Sequence, residues 1–346
     1  MSGNSRLRAA DGHEGGELFS PVGMMTNPHL QSLLPSSPLR RALLRRRAVR
    51  LMAASRTLLL DCGDGVRLHS WYAPPAGGTR VPQKGLAVLI HGWEGTGESS
   101  YLLSVASRLH DEGWGVIRLH LRDHGPSHHL NPGLFHSNRI GEVVGAVAAI
   151  AERFPEYPLC LGGFSLGGNF ALRVAARAEA AGIPLARVMA VCPVLEPAST
   201  LTAMERGPKI YERYFMAKWR RSLELKASVF PELYRFGDLR RFRGLRDMTA
   251  YFVQDYSEYE DLDSYLSGYA ITGEALARIS APSLLIAAAD DPVIPIADLP
   301  RLVRPARLSI VETRTGGHCG FLPSVLGTSW IDGQAARWFG AAGGPA

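Results

Sequence analysis

A serine flanked by glycine pairs has the clearest chemical potential in this chain. Ser165 lies in the stretch GGFSLGG at 162–168, after an apolar run and before a helix-like run at 169–181. Glycines two residues either side of a serine allow a sharp turn from strand to helix, which exposes the hydroxyl at a helix N-terminus that favours negative charge. The spacing predicts a nucleophilic serine, although the motif alone also fits a tight glycine turn.

Two later segments can supply the acid and the base that such a serine requires. The apolar run from Leu284 ends at Asp290 and Asp291, and His318 lies in a glycine-rich loop after the last apolar run. A histidine can accept and return a proton near neutral pH, and a buried acid holds its correct tautomer. Asp291, four residues before a proline, is the preferred acid, and Asp290 is the alternative. The order serine, acid, histidine is that of α/β hydrolases.

An oxyanion hole is predicted beside this constellation. The run LAVLIHGWEG at 86–95 ends a buried strand with a histidine and a glycine. Backbone N–H groups of Trp93 and Leu166 are expected to donate to a carbonyl oxygen as it gains negative charge. His91 is interpreted as a structural residue that hydrogen-bonds neighbouring loops.

Other chemistry-bearing residues carry weaker signals. His120, His124, His128 and His129 are close in sequence and could suggest a metal site, but residues 122–123 interrupt the set, and acyl transfer requires no metal. The four cysteines form no Cys-x-x-Cys pair, which argues against a zinc site and a disulfide framework. No metal and no cofactor are therefore expected.

Charge and hydropathy restrict the partners and the compartment. The net charge of +6 owes much to residues 39–50, which hold six arginines. Such a run can touch anionic lipid or nucleic acid, but without aromatic interleaving a solvated helix face is the favoured interpretation. No nucleic-acid partner is expected, and peripheral membrane contact is possible but not expected. No run approaches about 18 apolar residues and the first residues lack the apolar core of a signal peptide, so the expected location is cytoplasmic.

The elements that must position these residues follow a repeating pattern. Residues 57–73 predict two short strands around the turn Gly63-Asp64-Gly65. Apolar runs then alternate with amphipathic stretches, which predicts an α/β fold with a mostly parallel central sheet flanked by helices. These runs lie at 86–90, 116–121, 159–161, 188–191, 284–289 and 308–311.

The alternation breaks at about 196–279, where no apolar strand run occurs. We interpret this segment as a helical cap inserted into a core of residues 56–195 and 280–346, with residues 1–55 as an N-terminal extension that packs on the core. One cap helix is predicted at 209–225, where the side chains one helical turn apart are Ile210, Tyr214, Ala217 or Lys218, and Arg221. Such an insertion covers the carboxyl ends of the strands, where ligands bind. Its aromatic residues can wall an acyl pocket, among them Tyr211, Tyr214, Phe215 and Trp219.

The sequence resembles the YheT-like branch of the α/β hydrolases over about residues 27–330. The resemblance is carried by NPHLQSLLP at 27–35, HGWEG, GFSLGGN, ADDP and GGHCGF, and by the less common HS at 136–137 and MERG at 204–207. It implies the α/β-hydrolase fold, with Ser165 as nucleophile, Asp291 as orienting acid and His318 as general base. Members of the branch are described as carboxylesterases, and eukaryotic relatives act on medium-chain esters or phospholipids. The chain departs at RDHG, 122–125, which concerns the shape of the acyl pocket.

These signals predict a serine hydrolase that cleaves short- to medium-chain carboxylic esters through an acyl-serine intermediate. The substrate is expected to be a small-molecule ester or a lipid-like ester. Two alternatives stay open: an acyltransferase that uses the same triad, and a non-catalytic binding protein that keeps the hydrolase fold. The motifs do not separate hydrolysis from acyl transfer.

Overall fold

The computed structural model describes residues 19–75 and 84–343. The first 18 residues of the predicted N-terminal extension therefore lie outside the described part. Within that part, no helix combines the length and the apolar character that crossing a bilayer requires. All four cysteines are free thiols.

One eight-stranded sheet forms the centre of the molecule, with the order β1-β2-β4-β3-β5-β6-β7-β8. β2 is antiparallel to both of its neighbours, and all other pairs are parallel. The strands are β1 Arg56–Asp61, β2 Arg67–Ala73, β3 Leu86–Ile90, β4 Gly115–Leu119, β5 Leu159–Phe164, β6 Leu185–Val191, β7 Ser283–Ala288 and β8 Leu308–Thr313.

Eleven α-helices accompany the sheet in the described residues. They are α1 Pro28–Leu33, α2 Pro38–Arg47, α3 Val49–Ala54, α4 Ser100–Asp111, α5 Ile140–Arg153, α6 Leu166–Ala175, α7 Pro197–Arg206, α8 Lys209–Val229, α9 Leu245–Tyr256, α10 Leu262–Ser267 and α11 Trp330–Gly340. Apolar residues of α5 and α6 form one core cluster, which continues into the cap helices α7 to α10. Residues of α3, α4 and α11 form the second cluster. The predicted α/β-hydrolase fold class is confirmed.

Some element bounds differ from those that the sequence predicted. β5 continues to Phe164, three residues beyond the predicted run, because Gly162 and Gly163 keep their pairing with β3 and β6 although glycine is a poor strand former. α6 begins at Leu166 and ends at Ala175, so it starts earlier and stops sooner than the predicted run at 169–181. The predicted hairpin is present, with positive φ angles at all three turn residues.

Four helices stand between β6 and β7, where the sequence predicted a helical insertion. A buried ion pair ties the longest of them, α8, to the core, because Lys226 Nζ lies 2.7 Å from Asp123 Oδ1. The same ammonium donates to the backbone carbonyls of His128, Asn131 and Gly133 at 2.6 to 3.3 Å. The divergent RDHG segment thus anchors the cap helix to the core. The exact boundaries of extension, core and cap stay predictions.

Candidate active site

Ser165 occupies a strained turn between β5 and α6. Its backbone has φ 54° and ψ −121°, a conformation that costs free energy for any residue with a side chain and that is common at functional sites. A Cβ at Gly163 would overlap the carbonyl of Gly167, and a Cβ at Gly167 would overlap the carbonyls at the end of β3. Glycine is therefore required on both sides of the serine, as the sequence spacing predicted.

Three predicted site residues form a continuous hydrogen-bonded chain. The Ser165 hydroxyl lies 3.0 Å from His318 Nε2, and His318 Nδ1 lies 2.9 Å from Asp291 Oδ2. The second carboxylate oxygen of Asp291 accepts hydrogen bonds from the backbone N–H groups of Val293 and Ile294 at 2.8 and 3.0 Å. The side chains of Asp291 and His318 are 2% and 14% exposed. Both oxygens of the acid are thus engaged, which fixes its orientation towards the imidazole.

The neighbouring acid has a different partner. Asp290 Oδ1 accepts a hydrogen bond from the backbone N–H of Gly317 at 2.9 Å, so it holds the loop that carries His318. Within the described residues, its other oxygen is buried without a hydrogen-bond partner. The geometry therefore places Asp291, and not Asp290, against the imidazole.

The environment of His318 changes its basicity. Burial on its own would lower the pKa of the imidazole, but the Asp291 carboxylate, the Cys319 sulfur and the hydrogen bond to Asp291 together outweigh burial and raise the pKa to about 9. A raised pKa strengthens His318 as a proton acceptor, since the imidazolium that forms is stabilised by the adjacent charge.

The two residues predicted to supply oxyanion-hole N–H groups, Trp93 and Leu166, both line the cavity that contains Ser165. Leu166 is the first residue of α6, and Trp93 follows Gly92, whose position is so close to the nucleophile that an added Cβ would lie 3.2 Å from the Ser165 Cβ. In the part of the chain that the structure describes, neither the Trp93 nor the Leu166 N–H donates to a protein acceptor. Both donors are free for a substrate oxygen.

Ser165 lines two cavities. The first, of about 130 Å³, is walled by apolar side chains of the β3–α4 loop and the cap, including Trp93, Phe215 and Trp219. The second, of about 360 Å³, also reaches His318 and is lined by residues of the N-terminal extension and of α8. Tyr211 and Tyr214, which the sequence predicts as wall residues of an acyl pocket, line this second cavity.

The histidines near the site have structural roles. His91 Nε2 accepts from the backbone N–H of Leu121 at 3.2 Å, and its Nδ1 lies 2.7 Å from the carbonyl of Gly92. The ring nitrogens of His120 and His124 likewise accept from backbone N–H groups, at 3.0 Å. Burial lowers the pKa of His91 and of His120 to about 3, so both are neutral at physiological pH. These contacts use the ring nitrogens that a metal would need.

A different group of residues could hold a metal ion. The ligand atoms of Cys192, His318 and Cys319 lie within 4.8 Å of one another. Both ring nitrogens of His318 face Ser165 and Asp291, so a metal ion here would compete with the hydrogen-bonded chain. A metal ion bound to this group would therefore oppose acyl transfer.

The sequence did not indicate how the N-terminal extension supports the site. Ser32 Oγ accepts from the backbone N–H of His318 at 2.8 Å. Gln31 is completely buried; its amide donates to the carbonyls of Met25 and Leu322 and accepts from the Leu322 N–H. Both residues belong to the NPHLQSLLP stretch, which carries part of the family resemblance but whose sequence indicates no role. The extension thus braces the loop that carries the base.

Comparison with known proteins agrees with the fold and the resemblance. A family model described as the α/β hydrolase fold matches residues 87–324, more than half of the chain. The chain is 26% identical over 330 residues to "Putative esterase YheT" of Escherichia coli (strain K12), with 92% of each protein covered.

Solved structures show the same fold at low identity. An esterase of Pyrococcus furiosus, Pf2001, matches with a TM-score of 0.53 at 15% identity, over 82% of this chain and 93% of that one. A 2,6-dihydroxy-pseudo-oxynicotine hydrolase matches with a TM-score of 0.56 at 16% identity, over 90% and 80%. The chain therefore belongs to the α/β hydrolase fold family.

Proposed function

We propose that the protein hydrolyses carboxylic esters through a covalent acyl intermediate on Ser165. The observation that carries this proposal is the chain of hydrogen bonds from the Ser165 hydroxyl through both nitrogens of His318 to Asp291. A serine hydroxyl is a weak nucleophile until an adjacent base accepts its proton, and this arrangement supplies the base and the group that orients it.

The first half of the reaction forms the acyl-enzyme. Ser165 Oγ attacks the ester carbonyl while His318 Nε2 accepts the hydroxyl proton, and the Asp291 carboxylate stabilises the imidazolium. The N–H groups of Trp93 and Leu166 donate to the carbonyl oxygen as it becomes negative, and each such donor commonly contributes about 3 to 4 kcal/mol of transition-state stabilisation. His318 then returns the proton to the alcohol that leaves.

The second half releases the acid. A water molecule takes the place of the alcohol and attacks the acyl carbon, and His318 accepts one of its protons. The tetrahedral intermediate collapses, the bond to Ser165 Oγ breaks, and His318 returns the proton to that oxygen. Every proton transfer uses residues of this chain, so no cofactor is needed.

The first cavity is proposed to hold the acyl group. Its volume of about 130 Å³ is close to that of an engineered apolar cavity of about 150 Å³ that holds benzene, so it suits an acyl chain of about six carbons. Each buried methylene contributes about 0.8 kcal/mol, or about a factor of four in affinity. This size favours short- to medium-chain esters. The names of two relatives, "Putative esterase YheT" and the Pyrococcus furiosus esterase, support an ester substrate.

Labelling with a fluorophosphonate probe tests the nucleophile. We expect the probe to modify the intact protein once, and to leave Ser165→Ala unmodified although the variant stays folded. Ser36→Ala is the matched control, because Ser36 lines the second cavity and is not part of the hydrogen-bonded chain. Equal labelling of Ser165→Ala and the control, or no labelling of the intact protein, would contradict the proposal. Product analysis with added short alcohols distinguishes hydrolysis from acyl transfer.

A further inference from the structure

Helices α1 and α2 on one side and α8 on the other flank the outer part of the second cavity. On one side the cavity is lined by Leu33 and Arg41 of the N-terminal extension, and on the other by Tyr214 and Lys218 of α8. Three of these side chains, Leu33, Arg41 and Tyr214, are exposed to solvent, so they lie at the mouth, whereas the inner end reaches Ser165. A substrate that enters through this cavity therefore passes the surface around its mouth.

The N-terminal extension, which forms one side of this mouth, is basic. Residues 19–55 contain six arginines and no aspartate or glutamate. Arg45 pairs with Glu98 at 2.9 Å, but the structure shows no ion pair for Arg41 or Arg46 among the described residues. On α8, Arg213 and Arg221 are also exposed. Basic residues on both sides of the mouth attract an anionic partner.

Exposed apolar side chains accompany the arginines. Leu39, on the outer face of α2, is 64% exposed, and Ile210 and Tyr214, one turn apart on α8, are 53% and 43% exposed. Together, exposed apolar side chains can enter the boundary between headgroups and acyl chains while neighbouring arginines contact anionic headgroups. A surface that binds only phosphate or nucleic acid gains nothing from exposed leucine and isoleucine. The combination favours lipid over nucleic acid.

We propose that the outer faces of α2 and α8 dock on an anionic lipid bilayer and present the mouth of the second cavity to it. Leu39 and Ile210 enter the boundary between headgroups and acyl chains, and Arg46 and Arg213 contact anionic headgroups. An ester held in the bilayer can then pass along the second cavity to Ser165. The delivery of an ester rests on the proposed function, whereas the docking does not.

Flotation of the full chain with lipid vesicles tests the docking. We expect the protein to float with vesicles of phosphatidylcholine and phosphatidylglycerol, and not with phosphatidylcholine alone. Arg46→Gln/Arg213→Gln weakens binding about 25-fold, at about fivefold for each basic residue near an anionic leaflet. Leu39→Ser/Ile210→Ser weakens it by about tenfold or more, because the apolar contacts are lost.

A matched control removes the same charge elsewhere. Arg304 and Arg307 are exposed residues before the start of β8, at the amino-terminal edge of the sheet and opposite the site. Arg304→Gln/Arg307→Gln is expected to bind vesicles like the unmodified protein. Equal weakening by this control, equal binding to neutral vesicles, or no binding to either vesicle overturns the proposal. The proposal is also overturned if duplex DNA displaces the protein from the vesicles while Leu39→Ser/Ile210→Ser binds them fully, since that result identifies a nucleic-acid surface.

Activity separates this inference from the proposed function. With soluble p-nitrophenyl butyrate, the two surface variants hydrolyse at the rate of the unmodified protein, because none of the four residues lines either cavity. With an ester incorporated in anionic vesicles, both variants are slower in proportion to their loss of binding. Vesicle binding without any ester hydrolysis contradicts the proposed function alone, and hydrolysis of the soluble ester without vesicle binding contradicts the docking alone.

Discussion

Replacement of Asp291 by asparagine tests whether this acid holds His318 in the tautomer that can accept a proton. The asparagine oxygen can still accept from the N–H groups of Val293 and Ile294, at the position that Oδ1 now occupies. Its amide nitrogen then faces His318 Nδ1, which lies 2.9 Å from Oδ2 in the native protein. Two donors cannot bond each other, so Nδ1 becomes the acceptor and the proton moves to Nε2. The nitrogen that faces Ser165 can then no longer accept its proton.

The magnitude follows from the loss of the base. In serine proteases the corresponding change costs about 10⁴ in kcat, which is about 5.5 kcal/mol of barrier. KM and the unfolding midpoint should change little, because the backbone hydrogen bonds of residue 291 survive the substitution. We therefore expect a fall in kcat of about 10⁴ in Asp291→Asn.

Steady-state kinetics with p-nitrophenyl butyrate, beside thermal unfolding, measure this effect. Asp290→Asn is the matched control, since its oxygen can still accept from the N–H of Gly317 and hold the loop. We expect the control to lose less than about tenfold, the scale of one weakened hydrogen bond. If Asp290→Asn loses as much as Asp291→Asn, or if Asp291→Asn keeps its kcat, the assignment of the acid is refuted.

Three further outcomes are expected. Because only neutral His318 accepts a proton, kcat/KM should rise with pH through an apparent pKa above 6.5 and towards 9, and a limb at or below 6.5 would contradict this. The kcat/KM of p-nitrophenyl esters should rise by up to about fourfold per methylene until the acyl chain has about six carbons, and then fall. Trp219→Ala should move the optimum to longer chains. A kcat/KM that does not depend on chain length would count against the acyl cavity. In urea unfolding, Lys226→Met should lose about 3 to 5 kcal/mol by leaving a buried carboxylate unpaired, and Asp123→Leu/Lys226→Met should lose clearly less, whereas equal losses would show that the pair is not coupled.

The features that the sequence predicted depend on local patterns. Apolar runs predicted the parallel strands of the sheet, and glycines at fixed spacing predicted the turn at Ser165. Both patterns are local, because steric contacts within a few residues require those residue types. The three members of the hydrogen-bonded chain were found in the same way, each from the loop that follows a strand. Local patterns also gave one wrong strand end. The two glycines inside β5 made the apolar run end at residue 161, although the strand stays paired with β6 as far as Phe164.

The features that escaped prediction depend on contacts between distant segments. Gln31 and Leu322 hydrogen-bond across 291 residues of sequence, and Lys226 meets Asp123 across 103. No periodicity of either segment indicates its partner. The second cavity was missed for the same reason, because its walls come from the extension, the β3–α4 loop and α8. Tyr214 lines this second cavity, and nothing in the pattern of its own helix indicates the residues that face it there.

The loop that carries His318 shows why the extension belongs to the site. Gly317 has a φ of 54°, and a side chain there would overlap the carbonyl of Pro28; a side chain at Gly320 would overlap the carbonyl of Gln31. Glycines lose the most conformational entropy when a loop is ordered, so this loop needs bonds from outside to hold the imidazole in place. Asp290 supplies one such bond from the sheet and the extension supplies others. The close approach that makes glycine necessary is thus the contact that compensates for its flexibility.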